Sequence, residues 1–281
     1  MKFGAAIFFT EHSIGPIELA RALEERGFES VWAPEHSHIP VSRKTPYPGG
    51  GELPKEYYEV MDPFATLAAA AAATSRLSVA TGICLVQQRD VIQTAKLVAS
   101  LDRISNGRFL FGIGGGWNRE EMENHGTVFE TRFQRVRESI EAMKEIWTKP
   151  EAEYHGDIVR FDPIFAWPKP VQKPHPPILV GGGFPQGARR AIRYGDGWLP
   201  IIGATELEKI LPQFQAMLKE SGRKPSAVPI SAWNAKLEAG SIRRFRDLGV
   251  ERIVTTLPPA GREKVLPILD RCAETIRQAT N

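Results

Sequence analysis

Short apolar runs and amphipathic segments alternate eight times along this chain of 281 residues. The apolar runs are mostly continuous, which is typical of parallel strands that are buried on both faces. The segments between them repeat apolar residues at helical spacing, and several end at glycine. Eight strand–helix units in a chain of this length predict a closed (β/α)₈ barrel, a TIM barrel. A doubly wound open sheet is the structural alternative.

The pattern predicts one domain over residues 1–281, with an insertion between the fourth and fifth strands. The insertion comprises a hairpin at 152–162 and a proline-rich connection at 163–177. The predicted strands are 2–9, 28–33, 77–86, 107–116, 178–183, 197–202, 228–234 and 251–256. The predicted helices are 14–27, 63–74, 90–105, 130–147, 185–194, 205–221, 240–248 and 261–278.

Composition and charge narrow the class of protein. The net charge of +3 is small and scattered, so no basic face for nucleic acid is expected. Cys84 and Cys272 lie far apart without metal-ligand spacing, which disfavours a disulfide framework or a zinc site. No apolar stretch has the length of a membrane span. We therefore expect a soluble, cytoplasmic protein that binds neither nucleic acid nor membrane.

Two glycine-rich segments follow the fourth and fifth predicted strands. The first, Gly114–Gly116, fails the dinucleotide pattern G-x-G-x-x-G because Trp117 occupies the third glycine position. The second is Gly181–Gly183. Tandem glycines let a ligand approach the backbone, and a following helix offers free N–H groups to an anion. Either segment alone is explained by a tight turn, but two on one rim favour a phosphate-bearing cofactor.

The second predicted strand ends in polar residues. His36 is a candidate general acid or base because the side-chain type, histidine, can exchange a proton near neutral pH, although a single histidine is commonly structural. Glu35 is a candidate for orienting a histidine or contacting a cofactor, and a solvated carboxylate is equally compatible. Trp117 offers a flat surface for a ring or a cap on the core. No Ser-His-Asp order, H-E-x-x-H motif or P-loop lysine is present, so nucleophilic hydrolysis and metal catalysis lack support.

Three segments together resemble the bacterial luciferase-like monooxygenase superfamily: "SVWAPEHSHIP", "LDRISNGRFLFGIGGGWNREE" and "PPILVGGGFPQGARRAIRYGDGWLP". The resemblance spans nearly the whole chain and is strongest for the branch that uses the deazaflavin coenzyme F420. It implies a (β/α)₈ barrel, with an insertion between strands four and five, that binds a flavin-type cofactor at the carboxyl rim.

The resemblance also assigns roles to individual positions. His36 matches the histidine near the deazaflavin ring, and Glu35 stands where relatives often carry aspartate. A non-proline cis peptide is expected at Gly82–Ile83, in a bulge that supports the ring. Trp117 replaces the catalytic glutamate of related sugar-phosphate dehydrogenases, which implies that their acid–base pairing is absent here; Glu120 and Glu121 lie nearby at other points of the next helix. The expected cofactor-binding residues are Glu35, His36, Thr81, Gly82, Ile83, Gly114, Gly115, Gly116, Trp117, Gly181, Gly182 and Gly183.

The resemblance thus implies an oxidoreductase that moves a hydride between a small organic substrate and C5 of a deazaflavin, with His36 as the catalytic residue. The loop at 38–60 is expected to close over the site and exclude water. Two alternatives stay open: an FMN-dependent monooxygenase on the same barrel, and a cofactor-binding protein without catalysis. The resemblance further implies a homodimer.

Overall fold

The computed structural model describes residues 1–280 and contains ten strands and ten α-helices in that range. The strands are β1 (Lys2–Ala6), β2 (Ser30–Ala33), β3 (Ser78–Thr81), β4 (Phe109–Ile113), β5 (Glu151–His155), β6 (Arg160–Phe165), β7 (Ile178–Gly181), β8 (Gly197–Leu199), β9 (Ser231–Trp233) and β10 (Arg252–Thr256). The helices are α1 (Pro16–Glu25), α2 (Glu56–Glu59), α3 (Pro63–Ala72), α4 (Val91–Ile104), α5 (Arg119–Asn124), α6 (Arg132–Thr148), α7 (Gln186–Tyr194), α8 (Ala204–Glu220), α9 (Ala239–Asp247) and α10 (Arg262–Thr280).

Eight of the strands form one parallel sheet that closes on itself. The order is β8-β7-β4-β3-β2-β1-β10-β9, and bridges from Trp198 to Ile230 and from Ile201 to Trp233 join the two ends. Every paired neighbour in this sheet is parallel, as strand–helix repeats require. The predicted (β/α)₈ barrel is confirmed, and the open doubly wound sheet is not what the chain forms.

The barrel interior is filled by side chains from strands all around the barrel. Trp32 is fully buried and meets Trp233 edge to face at 5.7 Å between ring centroids. Small residues make room for these indoles: a Cβ at Gly4 would lie 2.6 Å from Nε1 of Trp32. The rest of this inner cluster is Ala6, Ala80, Leu179, Leu199 and Val254. The barrel is therefore a packed core, and its ligands must bind at the rim.

The insertion lies where the sequence predicts it, between β4 and β7. Strands β5 and β6 pair in antiparallel fashion as a separate two-stranded sheet, which confirms the predicted hairpin. Several boundaries differ from prediction: the third strand ends at Thr81 because the chain bulges and then enters a 3₁₀ turn at Val86–Gln88. Within residues 1–280, no helix combines the length and the apolar content that crossing a membrane requires.

Candidate functional site

The predicted site residues come together at the carboxyl rim because β2, β3, β4 and β7 are consecutive neighbours in the barrel. His36 follows β2, the bulge containing Ile83 follows β3, and the two glycine segments follow β4 and β7. In a parallel barrel these strand ends lie at the same face.

The imidazole of His36 is paired with a buried carboxylate. Its Nδ1 lies 2.7 Å from Oε2 of Glu121, and the two side chains are only 7% and 1% exposed. The other oxygen of Glu121 accepts the Ser37 N–H at 3.2 Å. An ionised carboxylate accepts only, so Nδ1 carries the proton of this bond. Nε2 of His36 makes no hydrogen bond with any group in residues 1–280 and remains available to a ligand.

Glu121 reaches His36 because of how α5 begins. Asn118 caps this helix, and its Oδ1 accepts the Glu121 N–H at 3.5 Å. Glu121 is the third helical residue, where a capping-box glutamate would bond back to the cap backbone; here its carboxylate turns to β2 instead. The expected absence of the sugar-phosphate dehydrogenases' acid–base pairing stays a prediction, but His36 does have a carboxylate partner. The carboxylate comes from the first turn of the helix that follows.

Glu35 points to the back of the β3 bulge. One carboxylate oxygen accepts the Leu85 N–H at 2.6 Å, and the other pairs with Arg89, whose guanidinium also bonds Asp62 at 2.7 Å. Burial lowers the pKa of Arg89, but the adjacent Glu35 carboxylate outweighs burial and raises it. Glu35 thus fixes the chain just after the bulge. Its predicted contact with a cofactor stays a prediction.

The β3 bulge has the expected geometry. The Gly82–Ile83 peptide bond is cis, which confirms the expectation from the resemblance. The bulge is held on both sides, since the Gly82 N–H donates to the Ala33 carbonyl at 2.8 Å and the Thr81 hydroxyl donates to the Gly112 carbonyl at 2.7 Å. Only glycine fits at position 82, because a Cβ there would lie 2.2 Å from the ring of Trp233.

The glycines after β4 are enclosed by the chain's own side chains. A Cβ on Gly114 would lie 1.9 Å from Cδ1 of Ile83, and one on Gly115 would lie 2.3 Å from the ring of Phe133. Gly116 has a φ of +61°. Beneath Gly116, both amide atoms of the buried Gln87 side chain lack a hydrogen-bond partner in the described chain. The β4 loop is thus a close-packed turn with unpaired polar groups behind it.

The glycines after β7 are more open. Gly182 has a φ of +122°, a backbone conformation that favours glycine, and its Cβ position lies 3.0 Å from Nη2 of Arg190. Gly183 is exposed, and a Cβ there would meet no atom within 4 Å. Gly181 packs against Ile83, whose Cγ2 is 3.4 Å from the glycine's Cβ position. Ile83 therefore lies between the two glycine segments.

Two tyrosines of residues 38–60, the rim loop, form an aromatic cluster with Trp117 beside His36. Tyr57 lies 5.2 Å from the imidazole between ring centroids, and Trp117 lies 5.8 Å from it. Tyr47 joins both, at 5.2 Å from Tyr57 and 5.9 Å from Trp117, and its hydroxyl bonds that of Tyr57 at 3.1 Å. Burial, followed by the Tyr47 hydrogen bond, raises the pKa of Tyr57, so its hydroxyl stays protonated at neutral pH.

Glu120 ties the rim loop to α5. It accepts the Lys44 N–H at 2.9 Å and the Thr45 hydroxyl at 2.7 Å. Burial raises the pKa of Glu120, but the hydrogen bonds from Thr45 and Lys44 outweigh it and bring the value to about 2. The two consecutive glutamates therefore have different tasks: Glu120 holds the loop, and Glu121 holds the histidine.

A second histidine cluster lies further out. The exposed Ser37 hydroxyl is 2.9 Å from Nδ1 of His38 and 2.7 Å from Nε2 of His125. Burial, followed by repulsion from His38, lowers the pKa of His125. These contacts give His38 and His125 partners on the surface side of the rim.

Four residues of this rim were not among the predicted site residues: Glu121, Glu120, Tyr57 and Arg89. Glu121 carried a usable signal, because Asn118-x-x-Glu121 is a helix-start pattern directly after a predicted rim segment. Tyr57 carried none, since its position depends on how 20 or so loop residues fold.

Comparisons with known proteins agree with this architecture. A protein of Mycobacterium tuberculosis without an assigned function is 36% identical over 278 residues, which cover 97% of this chain and 98% of that protein. The F420-dependent hydroxymycolic acid dehydrogenase of the same species is 29% identical over 212 residues, covering 74% of this chain and 55% of that protein. The FMNH(2)-dependent dimethylsulfone monooxygenase of Pseudomonas putida is 34% identical over 162 residues, covering 57% and 44%.

Two solved structures share the fold over its full length. The monooxygenase RslO1 from Streptomyces bottropensis superposes with a TM-score of 0.78 at 22% identity and covers 100% of both chains. An F420-dependent secondary alcohol dehydrogenase, solved with an F420-acetone adduct, has a TM-score of 0.78 at 19% identity and covers 99% of this chain and 98% of its own. The luciferase-like monooxygenase family model matches residues 12–235. This chain belongs to the luciferase-like monooxygenase family.

Proposed function

We propose that this protein is an oxidoreductase that transfers a hydride between a small organic substrate and C5 of coenzyme F420. The observation that carries the proposal is the buried pair of His36 and Glu121, with 2.7 Å between Nδ1 and Oε2, beside the bulge at Ile83. A histidine oriented by a buried carboxylate is suited to moving a proton, and a hydride transfer to or from an oxygen- or nitrogen-bearing carbon needs a proton at the heteroatom.

The residues at the rim fit a flat cofactor. Ile83 is half-buried and is held between the glycine segments, so its side chain would support one face of a ring. Gly183 leaves space above its Cα, and Gly182 is bordered by a guanidinium that suits a phosphate. When bound, a deazaflavin would supply or accept the hydride at C5 and disfavour oxygen chemistry.

The chain itself would move the proton and would enclose the reacting atoms. Nε2 of His36 would give a proton to the substrate in reduction and take it in oxidation. Glu121 would keep Nδ1 protonated and stabilise the imidazolium, as a carboxylate does for other catalytic histidines. The rim loop, with Tyr47 and Tyr57, would exclude water from the reacting atoms. Tyr57 would add a neutral hydroxyl close to the imidazole, since its pKa is raised.

An FMN-dependent monooxygenase is the second candidate. It is supported by the FMNH(2)-dependent relative from Pseudomonas putida, which is 34% identical over 162 residues. The F420-dependent relative matches a longer part of this chain, 74% against 57%, and this difference favours the deazaflavin. The third hypothesis is a protein that binds a cofactor without catalysing a reaction. The hydrogen bond between His36 and Glu121, which orients the imidazole, argues against it.

Fluorescence titrations with coenzyme F420 and with FMN test the choice of cofactor. We expect micromolar or tighter binding of F420 and much weaker binding of FMN; the opposite order would overturn the proposal. Turnover on a panel of alcohols, enones and imines then tests catalysis, with His36→Ala as the inactive control. If F420 binds, no panel member reacts and His36→Ala binds F420 equally well, the hypothesis of a cofactor-binding protein without catalysis is favoured.

A further inference from the structure

Three arginines and two phenylalanines stack in alternation beside the glycine segments, and we name them the arginine stack. The guanidinium of Arg119 lies 4.4 Å from the ring centroid of Phe129, and that of Arg132 lies 3.7 Å from the same ring. Arg132 also lies 4.4 Å from Phe133, whose other neighbour is Arg190 at 4.0 Å. Each of these cation–π contacts is weakly stabilising.

Only one end of the stack is neutralised. Arg119 pairs with Glu130 at 2.6 Å and with Glu123 at 3.6 Å. Within residues 1–280, no carboxylate oxygen lies within 4.0 Å of the guanidinium nitrogens of Arg132 or Arg190. Nε of Arg132 is enclosed and has no hydrogen-bond partner in the described chain. Two positive charges therefore share one phenyl ring without a counter-ion.

The surroundings of Arg132 and Arg190 disfavour the charged forms of both side chains. Burial and the neighbouring positive charges of Arg190 and Arg119 lower the pKa of Arg132, and Glu130 offsets only part of that effect. Burial likewise lowers the pKa of Arg190. Like charges brought together in a partly buried place are stabilised when an anion binds between or beside them. One N–H of Arg132 Nη1 is taken by the Phe129 carbonyl at 2.8 Å, and the remaining guanidinium donors of the pair, with their charge, suit an anion.

The stack borders both glycine segments. The ring of Phe133 lies 2.3 Å from the Cβ position of Gly115, and Nη2 of Arg190 lies 3.0 Å from that of Gly182. Arg132 is the first residue of α6, and Arg190 lies on α7, the helix that follows Gly183. A ligand that passes the glycine segments on its way out of the barrel would therefore meet Arg132 and Arg190.

We propose that Arg132 and Arg190 bind the anionic tail of the cofactor, taking oxyanions of its phosphodiester and of the carboxylates that follow. This inference rests on the proposed function and adds how the chain would select a deazaflavin with a charged tail. Guanidinium groups suit both anions because their planar fork pairs with phosphate and with carboxylate oxygens.

Three forms of the cofactor separate the sources of the anion. They are the deazaflavin riboside, which has neither phosphate nor carboxylates; the phospholactyl form, which has the phosphodiester and one carboxylate; and the oligoglutamyl form. Affinities are measured by fluorescence titration of the whole chain, for the wild type and for Arg132→Gln and Arg190→Gln. The matched control is Arg189→Gln, which removes one charge from an exposed neighbour on α7.

We expect each of Arg132→Gln and Arg190→Gln to weaken binding of the tailed forms by roughly 10- to 100-fold, the range for hydrogen bonds to charged groups. Binding of the riboside should change by less than about two-fold, which also establishes that the variants are folded. Arg189→Gln should bind all three forms like the wild type. Added salt should weaken the tailed forms alone, because it screens partly exposed charges.

The titrations distinguish failure of the tail site from failure of the proposed function. If the wild type binds the riboside and the tailed forms with equal affinity, and neither arginine variant changes this, the tail site is refuted and the proposed function stands. If the two variants lose affinity for the riboside as much as for the tailed forms, the arginines are structural and the tail site is again refuted. If the wild type binds FMN and no deazaflavin, the proposed function and the tail site fail together.

Discussion

Replacing Glu121 by glutamine removes one negative charge from the site and keeps an oxygen that can accept the Nδ1–H of His36. Because the carboxylate is 1% exposed and lies 2.7 Å from Nδ1, almost no solvent screens this interaction. Glutamine is close in volume to glutamate, so the helix α5 and its Asn118 cap should be preserved. With the amide oxygen on Nδ1, the amide –NH2 faces the Ser37 N–H, so the variant removes the negative charge and the acceptor of that N–H together.

The magnitude follows from the hydrogen bond that is changed. A bond to a charged group contributes about 1.5–3 kcal/mol and a neutral one about 0.5–1.5 kcal/mol, so the substitution loses roughly 1–1.5 kcal/mol. Expressed as a rate, this is a decrease in kcat of about 5- to 13-fold for Glu121→Gln. Glu121→Ala also leaves the Nδ1–H and the Ser37 N–H without their acceptor, and we expect a decrease of roughly 10- to 100-fold.

Steady-state turnover of the best substrate from the panel is the assay, with cofactor affinity measured separately. The loss should fall on kcat, with KM and cofactor affinity within about two-fold, because Glu121 acts on the proton carrier and not on binding. Glu121→Asp should recover part of the rate. Glu123→Gln, on the exposed side of the same helix, is the matched control and should match the wild type. Equal rates for Glu121→Gln and the wild type would refute the assigned role.

Glu120→Gln weakens the tether of the rim loop, and we expect roughly five-fold faster tryptic cleavage of that loop at neutral pH. In the wild type the folded-state pKa of Glu120 is depressed from 4.5 to about 2. The tether therefore stabilises the loop fully above pH 4.5, and this stabilisation is lost as the pH falls toward 2. Amide hydrogen exchange of the loop, corrected for intrinsic rates, should accelerate over the same pH range. Gly82→Ala places a methyl group 2.2 Å from the ring of Trp233 and should lower the free energy of unfolding by about 1–3 kcal/mol in urea titrations. Arg89→Gln leaves the buried carboxylate of Glu35 without its cation and should cost about 3 kcal/mol in the same assay, whereas an unchanged midpoint would mean that the pair contributes no net stability.

The fold could be predicted from the sequence because each barrel unit carries its own local signals. The helix at Val91–Ile104 begins at the capping Asp90, and its predicted span of 90–105 is one residue longer at each end. The third strand is the instructive exception. Its apolar run continues to residue 86, but the strand ends at Thr81, since residues 82–85 pack against neighbouring strands as a bulge. Apolar character alone does not separate strand from buried bulge.

The candidate site was only partly predictable, for a related reason. His36 and the glycine segments follow strands directly, so the barrel geometry alone brings them to one rim. The partner of His36 depends on the cap at Asn118, which turns the first residues of α5 inward. The stacking of Arg132 on Phe133 and of Arg190 on the same ring joins two helices that are 58 positions apart between these arginines, and no local pattern encodes such a contact.

The most direct test of the account is to follow the hydrogen itself. Reduced coenzyme F420 carrying deuterium at C5 is mixed with enzyme and substrate under air enriched in labelled oxygen, and the product is analysed by mass spectrometry. We expect one deuterium in the product, no labelled oxygen, and loss of this transfer in His36→Ala. A product that carries labelled oxygen and no deuterium, formed with reduced FMN instead, would contradict the account.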